Sequence, residues 1–126
     1  MRLETADRVY DSIDDFTIAE AVKAVADLKT EFAILTLDDT SFMQAAGGTS
    51  GMVLEYRDAK TDEHFVAKDK NISAEDVVAA FESFAAGDGA FKDVADWEPF
   101  EMKSAAGCGS AVLLAAVLPA LAYALS

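Results

Sequence analysis

The chain has 126 residues, about half of them apolar, and a formal charge of -13. That length can bury one core but hardly two, and the acidic surface repels phosphate backbones and anionic headgroups, which argues against nucleic acid as the main partner. A single cysteine, Cys108, excludes an internal disulfide framework and a multi-cysteine zinc site.

The first thirteen residues carry Leu3, Val9, Tyr10 and Ile13 in no clear period and read as a lead-in or an edge strand. They contain no apolar run behind a basic start, so no secretory signal is expected and the folded part is placed in the cytosol. Thr17 and Glu20 stand at capping-box spacing and predict a helix start. Ile18, Ala21, Val22, Val25 and Leu28 then form its buried stripe, with Glu20, Lys23, Asp27 and Lys29 outward.

From Phe32 to Lys68 the pattern changes to short strands, FAILTL, SFMQAA, MVLEYR and HFVAK, which make an antiparallel meander. Met52, Leu54 and Tyr56 fall on one face, Glu55 and Arg57 on the other, as a half-buried strand requires. Asp38, Asp39 and Thr40 supply the first turn. The run Gly47 to Gly51 has three glycines but neither the lysine of a phosphate-binding loop nor a following helix, so it reads as a hairpin loop. Asp58 to Asp62 makes the next connection.

Ser73 and Asp76 repeat the capping spacing, with Ile72 and Val77 placed as a hydrophobic staple. The second helix buries Val77, Phe81, Phe84 and Ala85 and ends at Gly87. Phe91, Val94 and Trp97 suit a short helical turn, stopped by Pro99, and Phe100 and Met102 alternate with Glu101 as a last strand. The fold class is therefore α+β: a helix, an antiparallel meander of three to four strands, a second helix and a C-terminal apolar helix. Residues 1–103 form the acidic domain and residues 104–126 its tail.

The order and spacing of SFMQAAGG, GMVLEYRD, EHF, ISAEDVVAAFESFAAGD and Trp97 resemble small α+β immunity proteins of bacterial polymorphic-toxin systems, over Ile34 to Trp97. The resemblance implies neutralisation of a toxin by binding, with no turnover chemistry and no cofactor. A basic toxin is the natural complement of the acidic surface, which also serves solubility alone. The partner-contact residues expected on this reading are Asp38, Asp39, Asp58, Asp62, Glu63 and Asp88, with Trp97 as an aromatic anchor or a core residue. The best catalytic alternative, a hydrolase, groups Glu55, Tyr56, Glu63 and His64 with a carboxylate orienting the imidazole, but no nucleophile or second metal ligand accompanies them. The chain is read as no enzyme.

Ser104 to Ser126 contains no charge. As a helix, Ala105 to Leu125 would reach about 31 Å, against a hydrocarbon core of about 30 Å. Leu113, Leu114, Val117, Leu118 and Leu121 are its membrane-facing candidates, Lys103 marks the cytosolic boundary, and Cys108 is a lipidation candidate. A membrane tether puts the protein at the cytosolic face of the cell membrane. The alternative is a cytoplasmic protein whose tail packs on the domain or joins copies into a homo-oligomer.

Overall fold

A computed structural model describes residues 1–38, 40–48 and 51–100. Among the described residues seven strands form one antiparallel sheet, in the order β2-β1-β3-β4-β5-β6-β7. They are β1 (Arg2–Thr5), β2 (Arg8–Val9), β3 (Phe32–Thr36), β4 (Phe42–Gly48), β5 (Gly51–Asp58), β6 (Glu63–Ala67) and β7 (Trp97–Pro99). Two helices, α1 (Asp15–Ala26) and α2 (Ala74–Ala86), pack on each other and on one face of the sheet. The α+β class and the meander β3 to β6 hold, while the sheet is wider than the three to four strands expected. The expected C-terminal apolar helix lies outside the described residues.

The additional width comes from both ends of the domain. Residues 1–13 supply two strands: β2 is an edge of the sheet, as expected, while β1 lies inside it, flanked by β2 and β3, with Leu3 opposite Leu35 and Glu4 opposite Ile34. Only Leu3 and Thr5 are buried in β1, too short an alternation to mark a strand by itself. Trp97 belongs to β7 instead of a helical turn, and the turn is a shorter 3-10 segment at Ala90–Asp93.

The helix ends follow local chemistry. Asp14, not Thr17, caps α1: its carboxylate accepts from the Thr17 amide at 2.9 Å, and Thr17 Oγ1 accepts from the Asp14 amide at 2.9 Å. Thr17 thus fills the third helical position, where a Glu or Gln ordinarily closes the box. Ile18, Ala21, Val22 and Val25 are buried as the period requires. Leu28 is not: it follows the C-cap Asp27 at φ 62° and is 61% exposed. Ser73 caps α2 through the Asp76 amide, and Gly87 ends it in the left-handed conformation at φ 75°.

Alternation then sorts the sheet into two unlike faces. Leu3, Leu35, Met43, Tyr56 and Phe65 form one row across the strands and Thr5, Ala33, Ala45 and Leu54 the next, beneath the helices. With Ile18, Val22, Val25, Val77, Phe81 and Phe84 they make the core. Gly51 lets the β4–β5 hairpin approach the segment before α2, where Met52 and Ile72 exchange backbone hydrogen bonds of 2.9 Å. Its φ is 140°, and a Cβ there would lie 2.6 Å from the Asn71 backbone.

Candidate functional site

The opposite face of the sheet has its own rows. One runs Arg2, Thr36, Phe42, Arg57, His64, and the next runs Glu4, Ile34, Gln44, Glu55, Val66, Glu98. A third holds Phe32, Ala46 and Val53. None of the apolar members of these rows belongs to the core cluster, because both described helices lie on the other side. This face is the most unusual surface of the domain, since strands present a mixture of apolar and charged side chains with no described element packed over them.

On it stands a hydrogen-bonded histidine–carboxylate pair. His64 Nε2 lies 2.7 Å from Glu55 Oε2, with the two side chains 25% and 10% exposed. Glu55 and Arg57 share a strand face and His64 opposes Arg57, so the pair is a diagonal across β5 and β6. Aromatic rings bracket the imidazole: Phe100 stacks on it at 4.3 Å between centroids and 19° between planes, and Phe42 meets it edge-on at 6.1 Å. The Phe100 amide also donates to the His64 carbonyl at 2.8 Å, which continues the β7 pairing one residue beyond the strand.

The four residues of the catalytic alternative do not converge. Tyr56 and Glu63 are the immediate sequence neighbours of Glu55 and His64, so they project to the helix side, where Tyr56 donates to Glu63 Oε1 at 3.1 Å. Lys92 completes that group, 3.2 Å from the same Glu63 oxygen. Burial, and then the neighbouring Glu63 charge, holds the Tyr56 phenol well above its usual value. The Lys92 ammonium holds the Glu63 carboxyl below the usual range, and the Tyr56 hydroxyl adds to the effect. The constellation is thus two pairs separated by the sheet, one on the helix side at its rim and one on the open face.

The partner-contact candidates divide similarly. The β3–β4 and β5–β6 turns lie at one end of the sheet, and the Ala59 amide donates to Ser41 Oγ at 3.0 Å, tying them together. Asp38, Asp58, Asp62 and Glu63 therefore share one rim, together with Lys60. Asp38 accepts from the amides of Thr40 and Ser41, which hold its carboxyl below the usual range, and Asp58 accepts from the Lys60 amide. Asp62 is 91% exposed, 3.8 Å from Arg57, at φ 59°. Asp88 is committed beyond α2, where it accepts from Ser83 Oγ and the Ala90 amide.

Trp97 sits opposite Ala67 at the far end of β6 from Glu63. Its ring packs edge-to-face with Tyr56 at 4.9 Å and Phe91 at 6.3 Å, and its indole donates to the Lys92 carbonyl at 3.3 Å. Asp39, Cys108, Leu113, Leu114, Val117, Leu118 and Leu121 lie outside the described residues. Among the described residues no helix is long and apolar enough to cross a membrane, and no group of three or more metal-ligating side chains comes together. Sequence reasoning missed the two phenylalanines around His64 and the role of Lys92. Phe42 was legible as the residue that alternates with Met43, whereas Phe100 and Lys92 enter from segments whose path depends on β7.

An open polar groove also runs beside the start of α2, lined by Lys68, Asp69, Ser73, Asp76, Lys92 and Asp96. Its charges are of both signs, so it selects no ligand class. Comparison with family models, with curated proteins and with solved structures finds no match.

Proposed function

We propose that this chain is a non-catalytic protein-binding module that meets a basic partner at the acidic rim of its sheet. That is the mode of action implied by its resemblance to toxin-neutralising immunity proteins. The observation that carries the reading is the pairing of the two turns through Ser41, which gathers Asp38, Asp58 and Asp62 at one end of a rigid sheet. Carboxylates so placed steer a cationic surface and fix its orientation more than they add raw affinity. The splitting of Glu55–His64 from Tyr56–Glu63 supports binding over hydrolysis, because the sheet lies between the two pairs and the four groups cannot converge on one substrate atom.

The test is association with a basic toxin candidate, measured by stopped flow over a range of salt. Steering at the rim predicts an association rate that falls steeply with ionic strength and is lowered again by Asp58→Asn with Asp62→Asn. A rate indifferent to both would count against the rim. A turnover abolished by His64→Ala would instead establish the hydrolase.

The membrane tether is a separate proposal resting on residues 104–126 alone. One observation favours its alternative, a cytoplasmic protein that keeps its tail: the chain reaches its last described residue, Phe100, on the open face of the sheet.

A further inference from the structure

We infer that the open face of the sheet is the docking site of this chain's own uncharged segment, residues 104–126, which lies outside the described residues. This inference is independent of the partner reading, since the rim and the face are different surfaces.

The face needs an apolar cover. Phe32, Ile34, Phe42, Ala46, Val53 and Val66 lie on it, outside the core, and Glu55 is already matched by His64. Phe32, Ile34, Ala46 and Val53 adjoin one another in the register, while Gln44 and Glu55 stand between Ile34 and Val66 and Phe42 lies between Thr36 and Arg57; an apolar patch of this kind on a sheet marks an interaction surface. The remaining question is which occupant reaches it first.

The path of the chain answers it. Phe100 is fixed on the face by its stack on His64 and its backbone bond to the same residue. Ser104 follows within about 14 Å, as four residues span at most about 3.3–3.6 Å each. A helix over 105–125 would be about 31 Å long. Seven strands at about 4.8 Å spacing are about 29 Å across, so the segment matches the sheet it would cover.

The competing occupants are weaker on physical grounds. A second copy carries the same charge of -13 and is repelled, whereas a tethered segment acts at an effective concentration on the order of millimolar. A bilayer offers the seven Val and Leu residues of the segment roughly 2–4 kcal/mol, opposed by its glycines, serines and Pro119.

The test uses the full chain with a nitroxide label on its sole cysteine, Cys108, and in a second sample on Leu121→Cys in a Cys108→Ser background. Methyl signals of Ile34, Val53 and Val66 report the open face, and those of Val22 and Val25 report the helix layer. The expected result is loss of most of the open-face intensity from both label positions, ahead of the helix layer. Loss only near Phe100, and only from position 108, would overturn the inference. So would loss that appears when labelled chains are mixed with isotope-enriched unlabelled chains, because the occupant would then be a second copy.

Discussion

Replacing Ser83 with alanine removes one oxygen atom from a buried site, and the structure sets the cost. Ser83 Oγ accepts from the buried Phe91 amide at 2.8 Å while donating to Asp88 Oδ1. Without it the Phe91 N–H has lost the side-chain acceptor that satisfies it, a penalty of about 1–3 kcal/mol. Phe91 holds the 3-10 turn against Tyr56 at 4.8 Å and Phe84 at 5.4 Å, and that turn supplies both Lys92 to Glu63 and the carbonyl that receives the Trp97 indole. The loss should therefore be felt as global stability and as a change around Trp97. Urea unfolding followed by fluorescence of the lone tryptophan measures both. With a dependence of about 1–3 kcal/mol per molar, a loss of about 2 kcal/mol lowers the midpoint by about 1 M. The folded emission of Trp97 should also move to the red. Asp88→Asn, which leaves the Ser83–Phe91 bond in place, should cost clearly less. A Ser83→Ala change within about 0.5 kcal/mol, the range of ordinary surface substitutions, would refute this reasoning.

Other outcomes follow from the same geometry. Gly51→Ala places a Cβ 2.6 Å from the Asn71 backbone at φ 140°, so it should destabilise the domain by more than the about 1 kcal/mol typical of point mutants, measured by urea unfolding. Because the folded Tyr56 pKa is raised, its contribution is complete below the usual phenol value of about 10 and is lost as pH rises toward the folded value. Tyr56→Phe should therefore flatten the alkaline decline in melting temperature while costing about 1 kcal/mol at neutral pH. For Glu63, Asp38 and Asp88 the folded values are depressed, by the Lys92 ammonium, by turn amides, and by the Ser83 hydroxyl with the Ala90 amide respectively. Their contribution is complete above the ordinary carboxylate value of about 4 and is lost as pH falls through the folded values, so the melting temperature should drop on the acid side of that point.

Legibility in the sequence tracked the length of each pattern. Strand β5 shows six alternating residues from Met52 to Arg57, and its two faces are as the alternation requires. Helix α2 combines a cap, a staple spacing and a glycine stop: the cap and the stop are found in place, and the two staple residues, Ile72 and Val77, are both buried. Strand β1 offers only Leu3 and Thr5 to a buried face, and its burial depends on β3 arriving from thirty residues away. The cap of α1 was misplaced because a threonine three residues before a glutamate resembles a capping box, whereas the preceding Asp14 is the better anionic cap.

The site was half legible for the same reason. Adjacency in sequence put Glu55 beside Tyr56 and Glu63 beside His64, and strand alternation then sends each neighbour to the opposite face. Register, which the sequence does not print, decides that Glu55 finds His64 and Tyr56 finds Glu63. The Asp38 and Asp58 turns were recognisable singly, but their union through Ser41 and Ala59 is a tertiary fact.

The destination of residues 104–126 separates a domain that covers its own sheet from one that hangs on a bilayer. Alkaline extraction of membranes from cells making the full chain tests this most directly. The expected result is recovery of the full chain in the soluble fraction, folded and monomeric, with its open face covered. Retention in the membrane pellet, with a chain ending at Lys103 released and folded, would contradict the covered face and establish the tether.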